Sequence, residues 1–198
     1  MAAAGEERGG LPILPFADAA ALEAWLEAQL DDHSGIWLKL AKKGAGVPTV
    51  SRAEAVDAGL CFGWIDGLIN SYDERFFLLR FTPRRRKGKW SLINVERAEQ
   101  LIADGRVRAR GLREIAAARA DGRWEAAYPP PSRIEVPVDL QAALDAEPQA
   151  AAFFATLTGA NRYAILYRLH DVRDPARRSA AIAKWVSMLA RGETAFPD

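Results

Sequence analysis

The sequence predicts an α+β protein, in which a small antiparallel β-meander with flanking helices precedes an all-helical C-terminal unit. Short apolar segments separated by turn residues lie between residues 62 and 83, which is typical of a meander. Apolar residues at helical spacing fill the chain after residue 138. The proline-rich segment 129–137 between these regions cannot form a helix and is predicted to be a linker.

These patterns divide the chain into four parts. Residues 1–11 are small and rich in glycine, which predicts disorder. Residues 12–128 form the α+β unit, followed by the linker 129–137 and the helical unit 138–198. The chain has 198 residues, of which 49% are hydrophobic, so it can bury a substantial core without disulfide bonds.

The first elements are a helix and a strand. Asp18 can cap a helix that ends near Gly35, because apolar residues follow it at helical spacing. These are Leu22, Trp25, Leu26 and Leu30. Ile36 to Leu40 then reads as a strand that places Trp37 and Lys39 on the same face.

A second helix and the meander come next. Ser51 and Glu54 have the spacing of a capping box, with Val50 placed to contact Ala55, so a helix is expected to about Leu60. Asp66-Gly67 between apolar pairs predicts a two-residue hairpin turn, because type I′ turns need positive φ at both central positions. Phe76 to Phe81 is the third strand of the meander, and Pro83 ends it.

The remaining elements are all predicted helices. They span Ser91 to Asp104, Ala109 to Ala120, Val138 to Ala146, Pro148 to Leu157, Asn161 to His170 and Pro175 to Arg191. Tyr163 and Tyr167 share one face of the seventh helix, where packing against a neighbouring helix is expected.

Composition excludes several classes of protein. Cys61 is the only cysteine, so an internal disulfide and a multi-cysteine zinc site are ruled out. No apolar stretch approaches the roughly 20 residues of a membrane span, and the N-terminus lacks the apolar core of a signal peptide. We therefore expect a cytoplasmic protein with no membrane span and no cofactor.

The net charge of +1 hides a marked asymmetry along the chain. Residues 1–74 hold 5 Lys/Arg against 12 Asp/Glu, whereas residues 75–113 hold 12 against 3. Two interpretations follow. Either the acidic and basic segments pair in the folded protein, or the basic segment is left to attract an anionic partner.

The basic run RFTPRRRKGKWS is the main candidate binding segment. Arginine binds phosphate or carboxylate through two parallel hydrogen bonds. Together with a lysine of the strand 36–40, this run gives the anion-binding candidates Lys39, Arg80, Arg84, Arg85, Arg86 and Lys89. The expected partner is an anionic ligand, a nucleic acid or an acidic protein surface. The alternative is a solvated loop with Trp90 packed in the core.

Nearby aromatic and acidic residues are candidates for stacking or for lining a pocket. They are Trp37, Trp64, Asp66 and Trp90. An enzyme using Asp66 or Asp57 as a base would need a pocket where Trp37, Lys39, Trp64 and Arg84 converge. The alternative for Asp66 is local hydrogen bonding in its turn. No catalytic residue and no metal ligand is assigned.

Several segments give the chain a family resemblance. They are GIWLKLAKKG, EAVDAGLCFGWIDG, RFTPRRRKGKWSLIN, the spacing of Gly105 to Gly111, and NRYAILYRLHD. Through these segments the chain resembles the bacterial YdeI/OmpD-associated family, also called bacteriocin-protection proteins. The resemblance implies a small cytoplasmic protein linked to tolerance of bacteriocins or antimicrobial peptides, without an established reaction.

The leading hypothesis is a non-enzymatic protein of this type that binds an anionic partner through its basic edge. A nucleic-acid or nucleotide-binding protein is one alternative. A small enzyme that uses Asp66 or Asp57 together with Arg84 on an anionic substrate is the other.

Overall fold

The computed structural model describes residues 6–29 and 32–196, and the chain divides into two units. The first unit comprises the residues up to Trp90 together with Asn94–Ala126. The second comprises Ser91–Ile93 and the chain from Ala127 onward. The change of unit at residue 126 falls just before the segment 129–137 that we predicted to be a linker.

A five-stranded mixed sheet organises the first unit, and it confirms the α+β class. The strands are β1 (Glu7–Arg8), β2 (Leu11–Leu14), β3 (Ile36–Ala41), β4 (Trp64–Ser71) and β5 (Phe76–Pro83). Their order is β1-β2-β3-β5-β4, with β2 and β3 parallel and the other pairs antiparallel. The disorder expected for residues 1–11 is wrong for Glu7–Arg8 and Leu11, which lie in strands.

The hairpin turn predicted at Asp66-Gly67 is wrong, because β4 runs through it. Asp66 pairs with Phe81 and Ile69 with Leu79, so Gly67 and Leu68 together lie opposite Arg80 and form a β-bulge. The chain turns later, where Asp73 Oδ1 accepts hydrogen bonds from the backbone N–H groups of Arg75 (2.8 Å) and Phe76 (2.7 Å). The expected three-strand meander is therefore one long hairpin.

The helices of this region follow their capping signals. They are α1 (Ala19–Glu27), α2 (Arg52–Phe62), α3 (Leu92–Ala103) and α4 (Ala109–Ala120). The Asp18 side chain caps α1, and Ser51 with Glu54 forms the predicted capping box of α2. Helix α1 ends earlier than expected, at Glu27, and Leu30 lies outside the described residues.

The two faces of the sheet differ in what covers them. One face carries the fully buried core, in which Trp64 lies 5.6 Å from Trp25 of α1 and 5.3 Å from Phe81 between ring centroids. On the other face a small cluster of Leu11, Ile13, Trp37 and Leu78 covers only part of the surface. Beyond this cluster, Arg80 and Thr82 are half-buried.

The second unit is helical, as predicted. Its helices are α5 (Val138–Asp145), α6 (Pro148–Thr156), α7 (Gly159–His170) and α8 (Pro175–Ala190). Their core includes Leu140, Phe154, Ile165, Leu169 and Trp185. Within the described ranges, no helix combines the length and the apolar character that crossing a membrane requires.

Polar contacts join the helices of the second unit. Tyr163 and Tyr167 pack within it, since Tyr167 lies 5.0 Å from the Tyr128 ring and the Tyr163 hydroxyl donates to the Pro129 carbonyl. Arg178 of α8 pairs with Asp139 and donates to the Leu169 carbonyl, which ties α8 to the ends of α5 and α7.

Candidate anion-binding cleft

A cleft of about 460 Å³ opens where β4 begins and β5 ends. Ile65–Leu68 of β4 and Arg80, Thr82 and Pro83 of β5 form part of its wall. The loop after β5 contributes Arg84, Arg85, Gly88 and Lys89, and His33 with Ser34 completes the lining. The strand-to-loop junction picked out by its run of cations therefore lies at a concave surface.

The bulge of β4 and the alternation of β5 put Arg80 at this cleft. Arg80 pairs with Trp37 of β3, so the two side chains share the face that lacks the main core. Opposite Arg80 on the other side stand Gly67 and Leu68 of the bulge, and the absent side chain of Gly67 leaves space there. Within the described ranges, the buried Arg80 Nε has no hydrogen-bond partner.

Several hydrogen bonds hold the loop after β5. Gly88 N–H donates to the Arg85 carbonyl at 2.7 Å, and Arg123 Nη1 donates to the Gly88 carbonyl at 2.9 Å. Arg84 N–H donates to the Gly63 carbonyl at 2.9 Å, which joins the loop to the end of α2. These bonds fix the loop that carries Arg85 and Lys89.

Arg84 and Trp90 are buried at the base of this loop and pack against each other. Only 9% of Arg84 is exposed, and its guanidinium carbon lies 3.4 Å from the centroid of the Trp90 ring. Trp90 also contacts the ring of Trp124, with 4.7 Å between the two ring centroids. Arg84, one of the predicted anion-binding residues, is therefore buried against Trp90 and does not project into water.

The next cations of the run do lie in water. Arg85, Arg86 and Lys87 are exposed, and no carboxylate of the described chain forms an ion pair with them. Arg85 lines the cleft, whereas Arg86 lies outside its lining. Lys87 still acts at a distance, because its charge helps to lower the pKa of Asp121, after the larger effect of the Arg123 hydrogen bonds.

The acidic first third of the chain pairs with other arginines. Asp57 accepts from Arg97 Nε at 2.6 Å, and Glu23 pairs with Arg106 at 3.0 Å. Glu27 lies 3.8 Å from Arg108. The predicted pairing of acidic and basic segments is thus confirmed for Arg97 and Arg106, whereas Arg85 and Arg86 form no ion pair with the described carboxylates.

Neither aspartate is arranged as a base. Asp57 is held by Arg97 and lies 3.7 Å from Arg106, away from the cleft. Asp66 lines the cleft but pairs with Arg52 at 3.1 Å. Burial raises the pKa of the Cys61 thiol to about 11, so this cysteine is a protonated core residue at neutral pH.

The predicted stacking residues are buried. Trp37, Trp64 and Trp90 are 6%, 0% and 2% exposed, so none offers an open ring face to a ligand. Lys39 is also engaged, because its Nζ lies 3.6 Å from Glu6 and 4.1 Å from the Tyr72 ring centroid. The convergence of Trp37, Lys39, Trp64 and Arg84 is therefore not observed, and of these four only Arg84 lines the cleft.

Sequence reasoning missed three contributors to this site. His33 lines the cleft, and its Nδ1 accepts from Gly35 N–H at 2.9 Å. Thr82 also lines the cleft, because the alternation of side chains along β5 places it on the same face as Arg80. Arg123 lies 35 positions from Gly88 in the sequence, so no local pattern links them.

Two family models match the chain. A domain of unknown function, DUF8412, matches residues 14–114, just over half of its length. The model described as bacteriocin-protection, YdeI or OmpD-associated matches residues 133–192. No curated protein and no solved structure gives a significant match.

The matches confirm the resemblance over residues 133–192, and a different family model covers the segments nearer the N-terminus. NRYAILYRLHD lies within the YdeI or OmpD-associated match. The segments between residues 35 and 105, together with the spacing up to Gly111, fall instead within the domain of unknown function. The cleft is thus part of the domain of unknown function, and the match to bacteriocin-protection proteins lies in the second unit.

Proposed function

We propose that the cleft of this chain, which belongs to the DUF8412 family of domains of unknown function, binds an anionic group. On this proposal, the protein is a non-enzymatic binding protein of the bacteriocin-protection type. The match of residues 133–192 suggests that protective context. A cytoplasmic location is part of the same proposal.

One observation carries this proposal. Arg80, Arg85 and Lys89 line a single concave surface, on which the lining carboxylate, Asp66, is already paired with Arg52. Positive charge gathered in a cleft attracts anions more strongly than the same charge spread over a convex surface, because the low-dielectric walls focus the field. Arg80 Nε adds a buried donor in need of an acceptor.

The chemistry of the lining favours carboxylate or phosphate. Arginine presents parallel donors that match two oxygens of either group. A volume of about 460 Å³ admits a small anion or a few side chains. The buried tryptophans argue against nucleic acid as the partner, since sequence-tolerant binding of single strands relies on open aromatic faces.

Calorimetric titration with tripolyphosphate tests the proposal. We expect binding at a salt concentration of about 20 mM that weakens steadily toward about 200 mM, because the cations at the mouth of the cleft are screened by salt. Absence of any binding heat at the lower concentration, together with an unchanged melting temperature, would show that the cleft is not an anion site.

A further inference from the structure

Strand β4 is an open edge of the sheet. It follows β5 at one end of the strand order, and no strand among the described residues lies beyond it. Within the described ranges, residues 67–71 make no backbone hydrogen bond outside their ladder with β5. Such an edge offers a row of backbone donors and acceptors to another extended chain.

The edge lacks most of the devices that usually prevent pairing. Residues 64–71 contain no lysine, arginine or proline. Leu68 and Ile69 are 64% and 49% exposed, so apolar side chains lie along it. The bulge at Gly67 and Leu68 and the charge of Asp66, which pairs with Arg52, are protective features. The bulge shortens the regular edge without covering it.

The anion-binding cleft borders this same edge. Ile65, Gly67 and Leu68 of β4 line it together with Arg80 and Arg85. A strand added to β4 would direct every second side chain to the face of the sheet on which the cleft lies. Acidic side chains at those positions would meet Arg80 and Arg85.

Charge also decides between possible occupants of the edge. A second copy of this chain paired antiparallel through β4 would place its own cations on the same face of the joined sheet. The two sets would then repel each other. An acidic segment of another protein gains from both the backbone pairing and the charge.

We propose that β4 accepts an extended acidic peptide as an added strand, with its acidic side chains at alternate positions entering the cleft. The inference rests on the proposed anion site and names the partner of that site. Main-chain hydrogen bonds to residues 67–71 supply affinity, and the cations select the charge of the incoming segment.

Three peptides of one sequence test this inference. The parent alternates glutamate with valine or threonine over eight residues, and two derivatives carry N-methyl groups on one or the other alternating set of amides. Each is titrated into the full chain beside tripolyphosphate. We expect the parent to bind and one methylated set to bind at least about tenfold more weakly, because it removes the donors that face β4. The other set should bind like the parent.

Variants of the protein provide an independent measurement. Ile69→Pro removes an N–H group of this edge strand, where proline is tolerated, and Ile69→Ala keeps it. Ile69 belongs to the edge but lies outside the lining of the cleft. We expect only the proline variant to weaken peptide binding, with tripolyphosphate binding equal in both.

Each remaining outcome has a distinct meaning. Equal binding of all three peptides overturns strand addition and leaves the anion site intact. Binding of tripolyphosphate but not of the parent peptide has the same meaning. Loss of binding to every probe refutes the proposed function as well. Dimers of the free protein that dissociate in Ile69→Pro would assign the edge to a second copy and overturn the inference.

Discussion

Combining Arg85→Glu with Lys89→Glu is expected to lower the affinity for tripolyphosphate about 100-fold at low salt. Both side chains line the cleft, and Arg85 is exposed and forms no ion pair with the described carboxylates. A hydrogen bond to a charged group contributes about 1.5 to 3 kcal/mol, less where solvent screens it. Two lost contacts and two repulsive charges are together expected to cost about 2.8 kcal/mol of binding free energy, which corresponds to the 100-fold loss of affinity. Calorimetry measures the difference directly.

A matched variant separates local contacts from net charge. Arg173→Glu with Arg177→Glu makes the same change in net charge, and both residues are exposed in the second unit. This variant should bind tripolyphosphate within about threefold of the unmodified chain, since its charges lie outside the cleft. Equal losses in the two variants would show that only the net charge matters.

Gly111→Ala is expected to destabilise the first unit by about 2 kcal/mol. A Cβ atom at this position would lie 2.4 Å from the Cys61 carbonyl oxygen and 2.7 Å from that of Leu60. Both oxygens belong to the last turn of α2, and the Cys61 oxygen accepts from Arg108 N–H at 2.9 Å. Overpacking of this kind costs about 3 kcal/mol, and the better helix propensity of alanine returns about 1.

Gly111→Ala should also shift residues that line the cleft. Residue 63, which follows α2, accepts the Arg84 backbone hydrogen bond, so a displaced helix end shifts the loop that carries Arg85. Gly67→Ala is the control, because its Cβ would lie 3.7 Å from the nearest atom, an ordinary contact. Chemical denaturation measures both variants. A Gly111→Ala protein as stable as the control would show that α4 can move away from α2 at little cost.

Local signals predicted the helices and the strands β3 and β5. The capping box at Ser51 fixed the start of α2, and alternation fixed β3. The prediction of a turn at Asp66-Gly67 was wrong because the same dipeptide can form a bulge when a stronger turn signal follows. That turn depends on the Asp73 side chain, which satisfies two backbone donors.

The site was predictable in its charge and not in its geometry. The run of arginines after β5 is visible in the sequence, yet the burial of Arg84 depends on Trp90 and Trp124 meeting across the fold. Pairing of Arg97 and Arg106 with the acidic first third is likewise tertiary. No spacing rule could show which cations would be left for a ligand.

Arginine side-chain NMR of the full chain, recorded while tripolyphosphate is added, tests the anion site most directly. Arg80 Nε is buried without an acceptor in the described chain, and Arg85 is exposed beside it in the same cleft. The account predicts that the Nε–H signals of these two residues shift most, with saturation at one ligand per chain. Larger shifts at Arg173 and Arg177, with those of Arg80 and Arg85 unchanged, would contradict it.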